Sequence, residues 1–261
     1  MKKLVFIDID GTVYKAHEES ISQSIKEKLY SVKDDIELYI ATGRGGMAIT
    51  CLREAKNYFK GFVLSNGSVV IYNNHIISKK VVEKKELIKL IEVAKELGSV
   101  IGLLTHDKVY VSKMNPLVDY ALTPRDEGSV VDINGYDFDM NLEYNMVWSF
   151  DELELIEKIE SKLSDKFTFF KWGKVGCDII INGTTKAKGI IELLNYLNYE
   201  NVVTYAIGDS GNDIPMFGLV DVSICMGNGT EGAKNAATYV TKSLEDGGFE
   251  EAIDNIIKGV W

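Results

Sequence analysis

Proline, histidine and cysteine are each rare in this sequence, with three of every one among 261 residues. So little proline, beside 26% charged residues, gives no sign of a disordered or low-complexity stretch. The cysteines, Cys51, Cys177 and Cys225, are odd in number, widely spaced and free of any CxxC pattern. That excludes a disulfide framework and leaves reduced thiols. His17, His75 and His106 are scattered, so no His/Cys zinc site is expected. Basic residues are outnumbered, 29 against 39 acids, for a formal net charge of -10. An acidic surface repels phosphate backbones and anionic lipid, which argues against nucleic-acid and membrane partners. No apolar run approaches the roughly 20 residues of a membrane span, and the start MKKLVFIDID loses its apolar character at Asp8. The expectation is an intracellular, cytoplasmic protein. Its oligomeric state is not legible, and a monomer fits the composition.

What is present is a large apolar fraction, 46%, enough for one large domain or two smaller ones. Strand and helix patterns alternate from the start. KLVFIDI reads as a strand, Ser20 to about Val32 as a helix, IELYIA as a strand, GMAITCLREAKNYF as a helix and GFVLS as a strand. Such βαβαβ alternation implies a parallel sheet. SVVIYNNHIIS reads as a hairpin turning at Asn73-Asn74.

The pattern changes near residue 80. KKELIKLIEVAKELG is amphipathic, with Leu87, Leu90, Ile91, Ala94 and Leu97 on one face and Gly98 to end it. VIGLL and KVYVS follow as strands; later YNMVWSF, the helix DELELIEKIESKL, and strands FTFFKW and CDIIING repeat the theme. Two helix-strand-strand units point to an α+β insertion with an antiparallel sheet. After Thr185 the βα rhythm returns. The expected architecture is α/β: a doubly wound, mostly parallel core from residues 1–80 and 186–261, interrupted by an α+β cap domain over 81–185.

In such a sheet, ligands bind beyond the carboxyl ends of the strands. The first strand ends in Asp8, Asp10, Gly11 and Thr12, and the second in Thr42, Gly43 and Arg44. The third ends in Ser65, Asn66 and Gly67, and the strand near Ile207 in Asp209, Ser210, Asn212 and Asp213. Four acids in two such loops demand a cation, and an all-oxygen donor set suits Mg2+. In a regular strand, positions i and i+2 point the same way. Asp8 can then serve as a nucleophile and Asp10 as general acid and base. Thr42 offers a hydroxyl and an amide to phosphoryl oxygens. A lysine must neutralise charge there; Lys188, just before Gly189, is favoured, with Lys186 as its competitor.

DIDGT, TGR, KG at Lys188-Gly189 and GDSGND resemble the four motifs of the haloacid dehalogenase-like (HAD) phosphohydrolases, in order along both core segments. NG at Asn66-Gly67 and MGNG at Met226 resemble the Cof-type branch, which carries a large α/β cap between the second and third motifs. The resemblance implies a Mg2+-dependent phosphatase acting on a small phosphorylated metabolite, such as a sugar phosphate. It implies Asp8 as phosphoryl acceptor and Asp10 as acid/base. Mg2+ would be held by Asp8, the Asp10 carbonyl and Asp209, with Asn212 or Asp213 bound to it directly or through an intermediary. Thr42, Gly43, Arg44, Lys188 and Asn212 would hold the phosphoryl group. A phosphotransferase or phosphomutase shares the same first step. In the cap, Tyr110, Arg125, Asp126 and Trp172 are candidate substrate contacts.

Two other readings compete. GRGGMA at Gly43 and GNGTEG at Gly227 fit dinucleotide-binding patterns. The first lacks the expected acid about 20 residues on, and the second leaves room for barely one βαβ unit. A non-catalytic switch phosphorylated on Asp8 is the third reading, but it gives the inserted cap nothing to do, whereas an enzyme uses a lid to exclude water.

Overall fold

The computed structural model describes residues 1–122 and 128–261; Arg125 and Asp126 lie outside them. In chain order, β1 (Lys2–Ile7), α1 (Gln23–Val32), β2 (Glu37–Ala41), β3 (Gly61–Leu64), β4 (Val69–Tyr72) and β5 (His75–Lys79) come first. Next are α2 (Lys84–Leu97), β6 (Ile101–Leu104), β7 (Val109–Val111), α3 (Pro116–Ala121), β8 (Val130–Asp132), β9 (Met146–Glu152), α4 (Leu153–Leu163), β10 (Phe167–Lys171) and β11 (Val175–Ile181). The chain closes with α5 (Lys186–Leu197), β12 (Val202–Gly208), α6 (Ile214–Phe217), β13 (Val222–Cys225), α7 (Glu231–Ala236), β14 (Tyr239–Val240) and α8 (Gly248–Lys258). No helix among the described residues is long and apolar enough to cross a membrane.

Two compact units result. One comprises Met1–Gly43, Thr50–Ser78 and Thr185–Trp261; the other comprises Arg44–Ile49 and Lys79–Thr184. The first holds an eight-stranded sheet in the order β14-β13-β12-β1-β2-β3-β4-β5. Its strands are parallel from β14 to β3, and β4 pairs antiparallel with β3. Chain order runs outward from β1 in one direction and from β12 in the other, so the topological switch falls between these two strands. β1 is buried on both faces, as a central parallel strand must be: Leu4, Val5, Phe6 and Ile7 are all inaccessible. The β4–β5 turn uses Asn73 and Asn74, both left-handed at φ 46° and 64°, as a two-residue hairpin turn requires.

The second unit holds a six-stranded sheet ordered β10-β11-β9-β6-β7-β8, antiparallel except for the β7–β8 pair. One face packs on α2 and α4 through Leu87, Leu90, Ala94, Ile156, Ile159 and Leu163. The opposite face packs Met146, Trp148 and Phe150 with Val118 and Leu122, and with Met47 and Ala48 of the short segment Arg44–Ile49.

That short segment corrects two expectations. Residues 44–49 group with the inserted unit rather than with the first 80 residues. The helix read over GMAITCLREAKNYF is instead two 3-10 pieces, Gly46–Ala48 and Thr50–Tyr58, with Arg53 left-handed at φ 49° inside the second. Met47 and Ala48 serve one core while Cys51, Leu52 and Ala55 are buried in the other unit, so no single helical face can satisfy both. The break also removes the helix that a dinucleotide pattern at Gly43 needs.

Candidate active site

The site grows from the two strands at the topological switch. β1 delivers Asp8, whose amide N donates to the Ile207 carbonyl at 2.9 Å. β12 ends at Gly208 and passes directly into Asp209. One oxygen each from Asp8, Asp209 and Asp213 lies within 4.8 Å of the others, and Asp8 and Asp213 are buried.

Asp10 is not in this group. β1 stops at Ile7, so the strand alternation that would align i and i+2 does not run on to Asp10, although the Asp10 charge still acts on Asp8 and Asp209. Beyond β1 the Ile9 carbonyl accepts from the amides of Thr12, Val13 and Tyr14 at 3.2, 3.0 and 2.9 Å, curling the chain. Gly11 takes φ 72° in that curl, and a Cβ there would sit 2.2 Å from Asp209 Oδ2, so only glycine fits. Asn228 of the MGNG string secures the curl from outside: its Nδ2 donates to the Gly11 carbonyl at 2.8 Å.

The lysine that the structure brings to the acids is Lys186, not the favoured Lys188. Lys186 is fully buried, and its Nζ donates to Asp8 Oδ1 at 2.6 Å and to Asp213 Oδ1 at 2.7 Å. Lys188 is exposed, and its amide N donates to the Thr185 hydroxyl that caps α5. Two positions apart on a helix, the side chains point about 200° apart, so only one can face inward. The sequence held the answer: Gly189, Ile190 and Leu193 lie three, four and seven positions beyond Lys186, the spacing of a buried face.

Asp213 has both oxygens committed. Oδ1 accepts from Lys186, and Oδ2 accepts from the amides of Asp209 and Ser210, each at 2.9 Å. Ser210 returns the favour as a capping box around the turn Gly211–Asp213. Asn212 Nδ2 donates to Asn66 Oδ1 at 3.0 Å, and Asn212 Oδ1 accepts from the Ser210 hydroxyl at 2.8 Å. The sequence places Asn66 and Ser210 at strand ends but gives neither a role, because nothing in the spacing ties residue 66 to residue 212.

Thr42 is buried, but its amide donates to the Val63 carbonyl at 2.9 Å, so that amide is not available to phosphoryl oxygens as expected. Its carbonyl accepts from the Asn66 amide at 3.0 Å. Gly43 is half-buried at the end of the same strand. Arg44 belongs to the second unit, where its Nη1 donates to the Ala48 carbonyl at 2.6 Å. Of the cap candidates, Tyr110 turns toward the helix-covered core and meets Tyr144 edge-on. Trp172 is 39% exposed, with its indole N–H donating to Asp178 at 2.8 Å.

The electrostatics follow from burial. Three carboxylates face one ammonium. Burial pushes the Asp8 carboxyl well above the usual range; Lys186 opposes this, and Asp213, Asp209 and Asp10 add to it. Burial likewise pushes Asp209 up to about 7, with the Asp213 charge adding to the effect. For Lys186, burial works against the ammonium, yet Asp213 and Asp8 hold its pKa above the ordinary lysine value. A buried, all-oxygen group with more acid than its lysine neutralises suits a hard divalent cation.

The GNGTEG string also finds its explanation here. Gly229 lets the chain pass close to the Asp209 carbonyl, which a Cβ would approach to 2.7 Å, and the helix that follows, α7, runs only over Glu231–Ala236. Its glycines pack the acid loop.

Comparison with known proteins places the chain in a family. Residues 5–253 match the haloacid dehalogenase-like hydrolase family. YkrA of Bacillus subtilis (strain 168), which carries the provisional name of phosphatase, is 26% identical over 258 residues, spanning 97% of each chain. The solved structure of BT1666 from Bacteroides thetaiotaomicron, studied among phosphatases of this superfamily, superposes with a TM-score of 0.81 at 27% identity, covering 100% of this chain and 96% of that one. That of BT4131, a HAD subclass IIB sugar phosphatase, gives 0.85 at 24% identity, covering 98% and 99%. The chain belongs to the haloacid dehalogenase-like hydrolase family and is an enzyme of its Cof-type phosphatase branch.

Proposed function

We propose that this protein hydrolyses a small phosphorylated metabolite, of the sugar-phosphate class, through a phosphoryl group carried on Asp8. The observation that carries the reading is the buried Asp8 carboxylate at the end of β1, bonded to Lys186 at 2.6 Å. Asp8 attacks phosphorus with one carboxylate oxygen, and the bond to the leaving oxygen breaks. Asp10, exposed on the curl beyond β1 rather than in the buried cluster, protonates that leaving oxygen. It then takes a proton from the water that attacks the aspartyl-phosphate, releasing inorganic phosphate. Lys186 neutralises charge on Asp8 and on the phosphoryl oxygens, held in place by Asp213. Thr42, Gly43 and Asn212 supply further contacts to the phosphoryl group.

Asp8, Asp209 and the Asp10 carbonyl would hold Mg2+, which supplies charge neutralisation for the phosphoryl oxygens. Asp213, with both oxygens occupied, is assigned to holding Lys186 and the acid loop rather than to direct contact with the cation. The sugar-phosphate class is supported by BT4131, itself a sugar phosphatase. A panel of phosphate monoesters with Mg2+ tests the reading, scored by release of inorganic phosphate. Release from at least one sugar phosphate is expected; turnover of none would sink it, and transfer without release would make the enzyme a phosphotransferase.

Metal affinity should depend on pH with a defined sign. Asp209, pushed up to about 7, holds a proton below that pH and must lose it to bind a cation. Mg2+ affinity should therefore fall as the pH is lowered from 8 to 6, the raised Asp8 carboxyl adding to the effect. Calorimetric titration of the substrate-free protein at pH 6 and pH 8 measures this; equal affinities would contradict it.

A further inference from the structure

The turn after β3 is built in a way that chain reversal alone does not require. Ser65, Asn66 and Gly67 take φ of 50°, 52° and 95° in succession, and all three are buried. Consecutive left-handed residues, two of them not glycine, are strained, and such strain persists only where surrounding structure enforces it. Asparagine is among the few side chains that tolerate this backbone. Two contacts depend on it. Gly67 presses on the start of α5, where a Cβ would sit 2.2 Å from the Thr185 carbonyl oxygen. Asn66 meets Asn212, its Oδ1 accepting from Asn212 Nδ2 at 3.0 Å.

The second contact decides how Asn212 is presented. Its Oδ1 accepts from the Ser210 hydroxyl at 2.8 Å while its Nδ2 donates to Asn66, so both ends of the carboxamide are tied. A primary amide carries two N–H donors, and Asn66 takes one. Asn212 is half-buried in the loop that also carries Asp209. Were the amide reversed, its oxygen would meet the Asn66 oxygen, two acceptors with no proton between them.

We propose that Asn66 is a positioning residue of the phosphoryl site. It holds Asn212 so that the second Nδ2 hydrogen donates to a phosphoryl oxygen, and it prevents the reversed amide, whose oxygen would repel that anion. This rests on the reading of Asn212 as a phosphoryl contact and names the residue that sets its orientation.

The test uses the full chain with Mg2+ and three variants: Asn66→Gly, Asn212→Ala and the two combined. Glycine accepts a φ of 52°, so the turn survives while the side chain is lost. Asn66→Ser, shorter than asparagine but retaining a hydroxyl for its buried surroundings, replaces Asn66→Gly if glycine loosens the fold. One readout is the thermal shift produced by inorganic phosphate, since a ligand that binds only the folded state raises the melting temperature. The other is KM and kcat on a phosphate monoester. Asn66→Gly should melt close to wild type without phosphate, lose most of the phosphate shift and raise KM about tenfold, the scale of one hydrogen bond. The combined variant should be no worse than Asn212→Ala alone, because Asn66 acts through Asn212. A wild-type phosphate shift and KM in Asn66→Gly, or losses that simply add in the combined variant, would overturn the inference. Asp8→Asn runs beside them: if it is inactive while Asn66→Gly behaves as wild type, only the positioning role falls, whereas an active Asp8→Asn removes the functional reading itself.

Discussion

Asp8→Asn is expected to lower turnover of any phosphate-monoester substrate by at least about a thousandfold, the scale on which removal of a covalent nucleophile acts. The neutral amide is too weak a nucleophile to form an acyl phosphate, and among the described residues no other carboxylate stands in its place. Asp213 Oδ1 is bonded to Lys186 and Asp213 Oδ2 to two backbone amides, while Asp10 lies on the curl beyond β1. The fold should survive, because asparagine has nearly the same shape and Lys186 keeps its bond to Asp213 at 2.7 Å. Burial already disfavours the Asp8 charge, so losing it relieves repulsion from Asp209 and Asp213. Steady-state rates with Mg2+, beside melting curves of both proteins, measure the effect. Substantial Mg2+-dependent turnover by a folded Asp8→Asn protein would contradict the covalent route.

Lys186→Met should be the most destabilising single change in the site. Lys186 is fully buried between Asp8 and Asp213, at 2.6 and 2.7 Å. Removing one partner of a buried ion pair leaves uncompensated charge and costs about 3–5 kcal/mol. Denaturant unfolding at pH 8 measures it best, since the orphaned carboxylates are then hardest to protonate. Activity should fall with stability, because Asp8 loses the cation that holds it ready. Lys188→Met supplies the contrast: an exposed side chain without a role should change stability by no more than about 0.5 kcal/mol and leave turnover near wild type. Equal effects at the two positions would reverse the assignment of the lysine.

Most of the site could be read from the sequence because strand ends in a parallel sheet are where polar residues interrupt apolar runs. VFIDIDGT and AIGDSGND announce both the strands and what they carry. What could not be read depends on contacts between distant segments or on local curvature. The curl that follows Asp8 required the three amides gathered on the Ile9 carbonyl, which a strand pattern does not display. The pairing of Asn66 with Asn212 spans two loops with no shared periodicity. The broken helix around Thr50 reflects a chain that serves two cores within a few residues. Lys186 is the instructive error. The adjacency of Lys188 to Gly189 points to the wrong lysine, whereas the helical face that Lys186 shares with Ile190 and Leu193 is the stronger signal.

The most direct test of the central claim is chemical capture of the phosphoryl group. Asp10→Asn should slow the second step, because no group then takes the proton of the attacking water, and the acyl phosphate should accumulate. Quenching that variant with Mg2+ and a good phosphate-ester substrate, then reducing with borohydride, converts an aspartyl-phosphate to homoserine. Mass spectrometry of the peptide containing residue 8 should find homoserine at that position, and only in samples given substrate. Release of the leaving group in the same quenched samples, with Asp8 unmodified throughout, would contradict the account.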